Sequence, residues 1–307
     1  MKRPDRPRLY PDGPVVADVA NEGGGTRKTT DAVNLAVALA RDGLKVGIAD
    51  CDPSMNCSCY LGYGVVDKKK YPERADAVYA RLAKMTNLYH VLHGEASLQE
   101  ALVPARTRIR KDGDDDDSFE VIPNLYLVLG ARDLAYASHD IKDSRFPRAN
   151  ESWLRRAVSG LQKGLLDVLL MDFRGSYDTW ETTMLGGSDF VIGALKPDQK
   201  DDDTLSTLIA NIQHAEATYE FSGGAADLRY VLMNGVSKNR GQYYVDQAKS
   251  IEEYYGDMLL PTISEAVTIG ESYKAQEPVY YWLGRDPEAK PIKEFAAVGK
   301  AISEFWE

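Results

Sequence analysis

Residues 15–52 read VVADVANEGGGTRKTTDAVNLAVALARDGLKVGIADCD, and they contain the pattern most informative about the topology of the chain. Its first residues are mostly apolar and rich in valine, as in a buried strand. A glycine-rich segment follows, and from Thr29 onward apolar residues recur with helical spacing. Gly43 ends the helical pattern, and the chain then returns to strand character up to Asp50. The order of strand, glycine loop, helix and strand predicts a βαβ unit.

The same alternation of strands and helices continues through the rest of the chain. Helical stretches separate three further runs that have the near-continuous hydrophobicity of buried parallel strands: LLDVLLMD at 165–172, DFVIGAL at 189–195 and RYVLMN at 229–234. We therefore predict a doubly wound α/β fold, with a mostly parallel sheet and helices on both faces. The other predicted elements are helical structure over 67–101, two short strands within FEVIPNLYLVLG at 119–130, a helix over 152–161, and a C-terminal helix with an apolar stripe of Ile292, Phe295, Val298, Ile302 and Phe305.

The composition is that of a globular protein. Of 307 residues, 44% are hydrophobic and 27% are charged, which provides enough apolar material for a sizeable core. The net charge of −10 argues against wholesale attraction to nucleic acid, so any contact with DNA requires a local basic patch. Cys51, Cys57 and Cys59 are too few and too clustered for a disulfide framework, and no apolar run is long enough to span a membrane. We expect a cytoplasmic protein without a membrane segment.

The first residues, MKRPDRPRLY, are basic and contain prolines that oppose a helix. We predict a flexible basic arm over residues 1–12 and a single domain over 13–307. The arm is interpreted either as a solvated chain end or as a segment that touches phosphate. The four aspartates at 114–117 are interpreted as a solvated loop rather than a metal site, since consecutive carboxylates on a loop converge on one ion only at an ordering cost.

The glycine loop is a candidate phosphate-binding site. Gly24 and Gly25 give the backbone the freedom to direct N–H groups at phosphate oxygens, and the N-terminus of the following helix adds positive potential. Lys28 is placed to reach the β- and γ-phosphates, and the hydroxyl of Thr29, which Thr30 follows, is placed to bind Mg²⁺. These features predict a P-loop.

Carboxylates at the ends of neighbouring strands would complete such a site. Asp50 and Asp52 follow the second strand, and Asp172 ends the run at 165–172. Acids in these positions hold the water shell of a metal or orient an attacking water. The alternative interpretation is that they are ordinary carboxylates that cap loop amides.

The whole pattern resembles the ParA/MinD family of deviant-Walker P-loop ATPases. The usual pattern of that family is ANxKGGxGKTT, a helix and then DxDPQGN, which compares here with ANEGGGTRKTT and DCDPSMN. The resemblance extends in the same order from about Val15 to the end of the chain, through NLYHVLHGEASLQEALVP, VIPNLYLVLGARDLAYAS, LLDVLLMDFRGS and LLPTISEAVTIGES. It implies a P-loop NTPase fold and an ATPase that uses ATP or ADP with Mg²⁺.

The resemblance also implies roles for individual residues. Asp50, Asp52 and Asp172 would coordinate the magnesium shell and position the hydrolytic water. Asn234 resembles the asparagine that hydrogen-bonds adenine in the family, although asparagine at a strand end is also a routine turn former. Pro197 lies in a segment that resembles the nucleotide-flanking loop.

Three positions depart from the family pattern. Gly23 stands where the family has its signature lysine, which reaches across a nucleotide-sandwich dimer, and Arg27 stands where the Walker A pattern GxxxxGK has glycine. A side chain at Arg27 is expected to crowd the loop and weaken nucleotide binding; the alternative is that its guanidinium reaches a phosphate. Arg174 is a further departure, in the loop that responds to the γ-phosphate in the family.

The partners implied by the resemblance are a second copy of the chain, nonspecific DNA and a centromere-binding adaptor protein. The candidate basic residues for DNA are Lys238, Arg240, Lys274, Lys290 and Lys293. The first functional hypothesis is a partition ATPase for DNA or cargo, associated with the nucleoid or free in the cytoplasm. The second is a scaffold on the same fold that no longer holds nucleotide. A reductase-type or assembly ATPase of the same superfamily is a third, and the HGEASLQEALVP block favours the partition branch over it.

Overall fold

A computed structural model describes residues 7–64, 72–109, 118–237 and 240–303. One eight-stranded sheet, ordered β3-β4-β2-β5-β1-β6-β7-β8, runs through the molecule. The strands are β1 Val15–Ala20, β2 Val46–Asp50, β3 Leu102–Ile109, β4 Ser118–Val128, β5 Val168–Asp172, β6 Phe190–Leu195, β7 Asp227–Val236 and β8 Ile263–Ser264. The helices are α1 Lys28–Arg41, α2 Asn56–Ser58, α3 Pro72–Leu82, α4 Leu88–His93, α5 Leu98–Ala101, α6 Ala137–Lys142, α7 Trp153–Ser159, α8 Thr179–Leu185, α9 Gln199–Tyr219, α10 Gln242–Tyr255, α11 Val267–Ala275, α12 Val279–Trp282 and α13 Lys290–Ser303.

The sheet has the predicted doubly wound arrangement. Among the described strands, only the β3–β4 pair is antiparallel. The central strands β1, β2, β5 and β6 are buried along their whole length, because separate apolar layers cover the two faces of the sheet. β1 lies between β5 and β6, so the chain leaves its carboxyl end at the point where the strand order reverses, which is where open α/β sheets bind ligands.

Helix α1 fixes the position of the glycine loop. Nearly all of its residues are buried, since it packs between the sheet and α13. Gly299 of α13 faces this helix, since a Cβ there would lie in van der Waals contact with the Leu39 side chain at 3.4 Å. The predicted C-terminal stripe is buried at Ile292, Phe295, Val298 and Ile302, while Phe305 lies outside the described residues.

The hairpin at one edge of the sheet differs from the sequence prediction. Two short strands were expected within 119–130, and the structure has one continuous strand, β4. Asn124, at the expected turn, takes a positive φ of 60°, and the strand continues through it. Its partner β3 was not predicted. β3 contains Pro104, which an edge strand tolerates, and the register shifts between Pro104 and Arg106. The helical prediction for 67–101 is realised as α3, α4 and α5, with its first residues and the aspartates at 114–117 outside the described residues.

The described part of the predicted N-terminal arm is anchored to the domain. The Leu9 amide donates to a carboxylate oxygen of Asp189 at 2.6 Å, and the Tyr10 hydroxyl donates to the Gly187 carbonyl at 2.6 Å. Residues 1–6 lie outside the described ranges. Within those ranges, no helix combines the length and the apolar character that crossing a bilayer requires.

Candidate functional site

A cavity of about 340 Å³ lies at the carboxyl ends of the central strands. Its wall is formed by residues 24–30 of the β1–α1 loop, by Asp52 and Asn56 after β2, by Phe173 and Gly175 after β5, and by Ile269, Gly270 and Tyr273 of α11. The structure therefore brings together the predicted loop residues Gly24, Gly25, Lys28, Thr29 and Thr30 with Asp52. A larger cavity of about 430 Å³, between Ile141 and Ser222, contains none of the predicted residues.

The loop keeps a glycine-like backbone at Arg27. This residue caps the N-terminus of α1 with φ 69° and ψ 18°, and Gly25 has φ 83°. The left-handed region costs a residue with a Cβ roughly 1–2 kcal/mol. The expected conflict between Arg27 and the loop is present as backbone strain, and the turn is retained with a strained residue in it.

Arg27→Gly is expected to stabilise the protein by about 1 kcal/mol, because relief of the left-handed strain outweighs the greater chain entropy of glycine. Urea denaturation measures the change. Arg27→Ala is the matched control, since it removes the same side chain and retains the strain. Equal stabilities of the Gly and Ala variants would show that the backbone at this position is not strained.

Lys28 is folded back onto its own loop. Its Nζ donates to the Gly23 carbonyl at 2.7 Å and to Thr26 Oγ1 at 3.3 Å. Burial lowers the pKa of Lys28, and nearby carboxylates oppose that effect, Asp172 most strongly. The ammonium group thus rests on two neutral acceptors, which phosphate oxygens would replace with stronger, charge-assisted bonds.

Asp50 and Asp172 lie side by side at the ends of the neighbouring strands β2 and β5. Asp50 accepts bonds from the amide and the hydroxyl of Ser58, both at 2.7 Å, and burial raises its pKa to about 6. Asp172 is fully buried, and neither carboxylate oxygen has a hydrogen-bond partner of good geometry. Its pKa is raised well above the usual range by burial and then by Asp50.

An unpartnered buried carboxylate of this kind is suited to a cation. The described residues contain no group of three or more His, Cys, Asp or Glu side chains placed to hold a metal ion by themselves. Asp172 has the Thr29 hydroxyl beside it, and a carboxylate and a hydroxyl are suited to a Mg²⁺ that also takes phosphate oxygens and water, as that ion usually does. Asp52 is only partly buried and accepts a bond from the Ser54 amide at 2.8 Å.

Asn234 and Pro197 are buried and do not line the cavity. The Asn234 side-chain amide donates to the Thr26 carbonyl at 2.8 Å and to Asp31 Oδ2 at 2.6 Å, so it supports the loop from behind. Sequence reasoning did not identify Asp31, whose position in the first turn of α1 was the available signal. It also did not identify Lys196, which donates to the Gly25 carbonyl and directly precedes Pro197.

The space beside Gly23 is already filled. A Cβ at this position would lie 2.9 Å from Thr26 Cγ2 and 3.1 Å from Thr204 Oγ1. The family lysine would therefore require the Thr26 side chain to shift and would crowd Thr204 of α9. Glu22, the preceding residue, is bonded to the Asn211 amide.

Arg174 is bonded to helix α8. Its Nε lies 2.5 Å from Glu181 Oε1 and its Nη2 lies 2.5 Å from Asp178 Oδ2. Glu181 is fully buried, and burial raises its pKa to about 7. Arg174 thereby ties the loop of Phe173 and Gly175, which line the cavity, to the start of α8.

Most candidate DNA-binding cations are paired with carboxylates. Arg240 contacts Glu265 at 3.0 Å, and Lys293 contacts Glu288 at 2.5 Å. Lys290 lies 3.7 Å from Glu294. Lys274 is exposed on α11, whereas Lys238 is outside the described residues.

Comparison with known proteins agrees with this architecture. The family model described as AAA domain matches residues 15–222. A chromosome partitioning protein ParA of Caulobacter vibrioides is 41% identical over 88 residues, which cover 29% of this chain and 27% of the relative, so that match spans about a quarter of the relative. The chromosome-partitioning ATPase Soj of Treponema pallidum is 23% identical over 266 residues, covering 83% of this chain and 88% of the relative.

The fold is also found among solved structures. Cyanothece McdA in complex with ATP has a TM-score of 0.70 at 15% identity, covering 95% of this chain and 97% of that one. The match over residues 15–222 shows that the chain belongs to the AAA domain family, and the partitioning relatives support its resemblance to the ParA/MinD family.

Proposed function

We propose that this chain is a ParA-like partition ATPase that binds Mg²⁺-ATP and acts in DNA segregation or cargo positioning, with nucleotide binding or hydrolysis weakened by Gly23 and Arg27. The observation that carries the proposal is Asp172, a buried carboxylate next to Asp50 and Thr29 whose oxygens have no hydrogen bond of good geometry. A site that has lost all use of a cation would gain stability by replacing this charge with a neutral side chain.

The proposed roles follow from the positions of the groups. The Lys28 ammonium and the loop amides of Gly24 and Gly25 would bind the phosphates, at the N-terminus of α1. Thr29 and Asp172 would hold Mg²⁺, which would supply charge stabilisation of the phosphates. Asp50, whose carboxylate accepts two bonds from Ser58, and Asp52 would orient the attacking water.

The cellular context is proposed from the relatives. The names of the Caulobacter and Treponema proteins refer to chromosome partitioning. We accordingly propose a single domain over residues 13–307 that forms a homodimer in the cytoplasm, associates with nonspecific DNA of the nucleoid, and receives an adaptor protein.

A scaffold that binds no nucleotide is the second candidate function. This candidate is favoured by the hydrogen bonds within the loop. Lys28 donates to the Gly23 carbonyl and Lys196 donates to the Gly25 carbonyl. The space for a lysine side chain at Gly23 is occupied by neighbouring side chains. These loop carbonyls and lysine ammonium groups thus have hydrogen-bond partners within the protein.

Calorimetric titration with Mg²⁺-ATP and Mg²⁺-ADP tests the proposal. We expect the unaltered chain to bind ATP with a dissociation constant of about 1–100 μM, and Lys28→Ala to weaken binding at least ~10-fold through loss of charge-assisted bonds. Lys249→Ala, an exposed lysine of α10, is the matched control and should leave binding unchanged. Binding seen only in an Arg27→Gly, Gly23→Lys double variant would overturn the proposal and leave the scaffold.

A further inference from the structure

The larger cavity, of about 430 Å³, has no part in the proposed function. Its wall is formed by Ile141, by residues 150–152 and Arg155 around the start of α7, and by Tyr219 and Ser222 around the end of α9. Arg155 donates to the Gly186 and Gly224 carbonyls, at 2.5 Å each, in the segments that lead into β6 and β7. This amino-edge cavity therefore lies toward the amino ends of those strands, and its lining shares no residue with that of the cavity at the carboxyl ends.

Polar groups in the wall of the amino-edge cavity have donors and charges to spare. Tyr219 is only 6% exposed, and its hydroxyl makes no hydrogen bond to a described residue. Glu151 and Arg155 form no ion pair with each other or with any other residue in the described part of the chain. Arg155 has five N–H donors, and three backbone carbonyls accept from it, which leaves two N–H groups for another acceptor.

An aromatic ring projects from the rim of the same cavity. Phe221 lies in sequence between Tyr219 and Ser222, both of which line the cavity, and its side chain is 99% exposed. It is the most exposed large hydrophobic side chain in the described part of the chain. Aromatic side chains that fill a pocket on a partner are typical anchors of protein interfaces. One surface thus carries a projecting ring and, next to it, a hollow.

A surface with both a projection and a hollow is complementary to a second copy of itself. A twofold axis brings the same patch of both copies together, so every contact occurs twice. Phe221 of each copy would enter the cavity of the other and pack on Ile141 and the ring of Tyr219. Glu151 of one copy would accept bonds from Arg155 and from the Tyr219 hydroxyl of the other. We propose that this chain forms a symmetric dimer through the amino-edge cavity, with Phe221 as its anchor.

This inference goes beyond the proposed function, because the interface needs no nucleotide. The amino-edge cavity is separate from the glycine loop, so a dimer formed there leaves the cavity of Lys28 and Asp52 open. The contact across nucleotides that the family resemblance implies would use a different face. The proposed ATPase rests on Asp172 and Lys28, and it stands or falls independently of this dimer.

Sedimentation velocity of the full chain without nucleotide tests the proposal. We expect a monomer–dimer equilibrium with a dissociation constant of about 1–100 μM, and Phe221→Ser should weaken it at least ~10-fold through loss of the anchor. Val267→Ser is the matched control, since it removes a 78% exposed side chain from α11, and it should leave the equilibrium unchanged. A chain that stays monomeric at about ten times the upper end of that range would overturn the proposal.

Two complementary variants test where the interface lies. Ser222→Trp should fill the mouth of the cavity and weaken the dimer at least ~10-fold, while it retains the backbone carbonyl to which Arg155 donates. A mixture of Phe221→Ser and Ser222→Trp should form a heterodimer, because the ring kept by one variant enters the open cavity of the other. Both positions are exposed, so the melting temperature of each variant should match that of the unaltered protein. A dimer that neither substitution weakens, or a mixture that stays monomeric, would overturn the proposal.

Discussion

Asp172→Asn is expected to stabilise the fold and to stop ATP hydrolysis at the same time. The substitution removes a buried carboxyl group whose ionised form has no hydrogen bond of good geometry, which should raise the free energy of unfolding at pH 8 by about 1–2 kcal/mol. It also removes the proposed cation-holding carboxylate, and hydrolysis should fall at least ~100-fold because metal-based charge stabilisation supplies several kcal/mol. Opposite changes in stability and activity are typical of a functional site.

The stability gain should depend on pH. Burial and Asp50 raise the pKa of Asp172 in the folded state above its value in the unfolded chain. The unfolded chain therefore releases this proton first, and stability is lost as pH rises from the unfolded pKa, about 4, through the folded pKa. The Asn variant has no such group, so its advantage over the unaltered protein should be larger at pH 8 than at pH 5.

Urea denaturation at pH 5, 6.5 and 8, together with a phosphate-release assay, measures both effects. Asp133→Asn is the matched control, since Asp133 is exposed and its replacement should change stability by less than about 0.5 kcal/mol. An Asp172→Asn variant that is less stable than the unaltered protein at pH 8 would mean that the native carboxylate is compensated. The case for a cation site would then fail.

The parts of this site that the sequence predicted are those set by local pattern and strand order. The β1–loop–α1–β2 unit follows from one contiguous stretch, and the positions of Asp50 and Asp172 follow from the rule that parallel strands end at one edge of the sheet. The orientation of Asn234 could not be predicted, because its bond to the Thr26 carbonyl joins residues 208 positions apart. Only the packed structure decides whether such an amide faces the cavity or the loop.

The edge hairpin was mispredicted for a comparable reason. Judged from the neighbouring sequence alone, Pro104 disfavours a strand. It is tolerated here because β3 is an edge strand with a neighbour on one side only. Likewise, the sequence shows that position 23 is glycine where the family has lysine. Only the structure shows that Thr204 of α9 lies against Gly23. Departures from a family pattern become interpretable once the groups that fill the altered space are known.

Replacing Arg174 is expected to destabilise the fold more than the other changes discussed. Arg174→Met retains most of the stem and removes the charge, so the fully buried Glu181 loses its cation. An uncompensated buried charge of this kind costs about 3 kcal/mol. Urea denaturation measures the loss, and Arg145→Met, at an exposed surface pair with Asp143, is the matched control with an expected effect below about 1 kcal/mol.

The pH dependence and a second substitution identify the cause of that loss. The pKa of Glu181 is raised by burial to about 7 even with Arg174 present, and removal of the arginine should raise it further. Because a raised folded-state pKa makes stability fall as pH increases, Arg174→Met should lose more stability at pH 8 than at pH 5.5. Adding Glu181→Gln should restore most of the lost stability. The glutamine side chain carries no charge, and its oxygen can still accept the hydrogen bond that the Asp178 backbone N–H donates to Glu181 at 2.9 Å. A double variant as unstable as Arg174→Met would contradict the role of the buried charge, and the loop of Phe173 and Gly175 would then owe its position to packing alone.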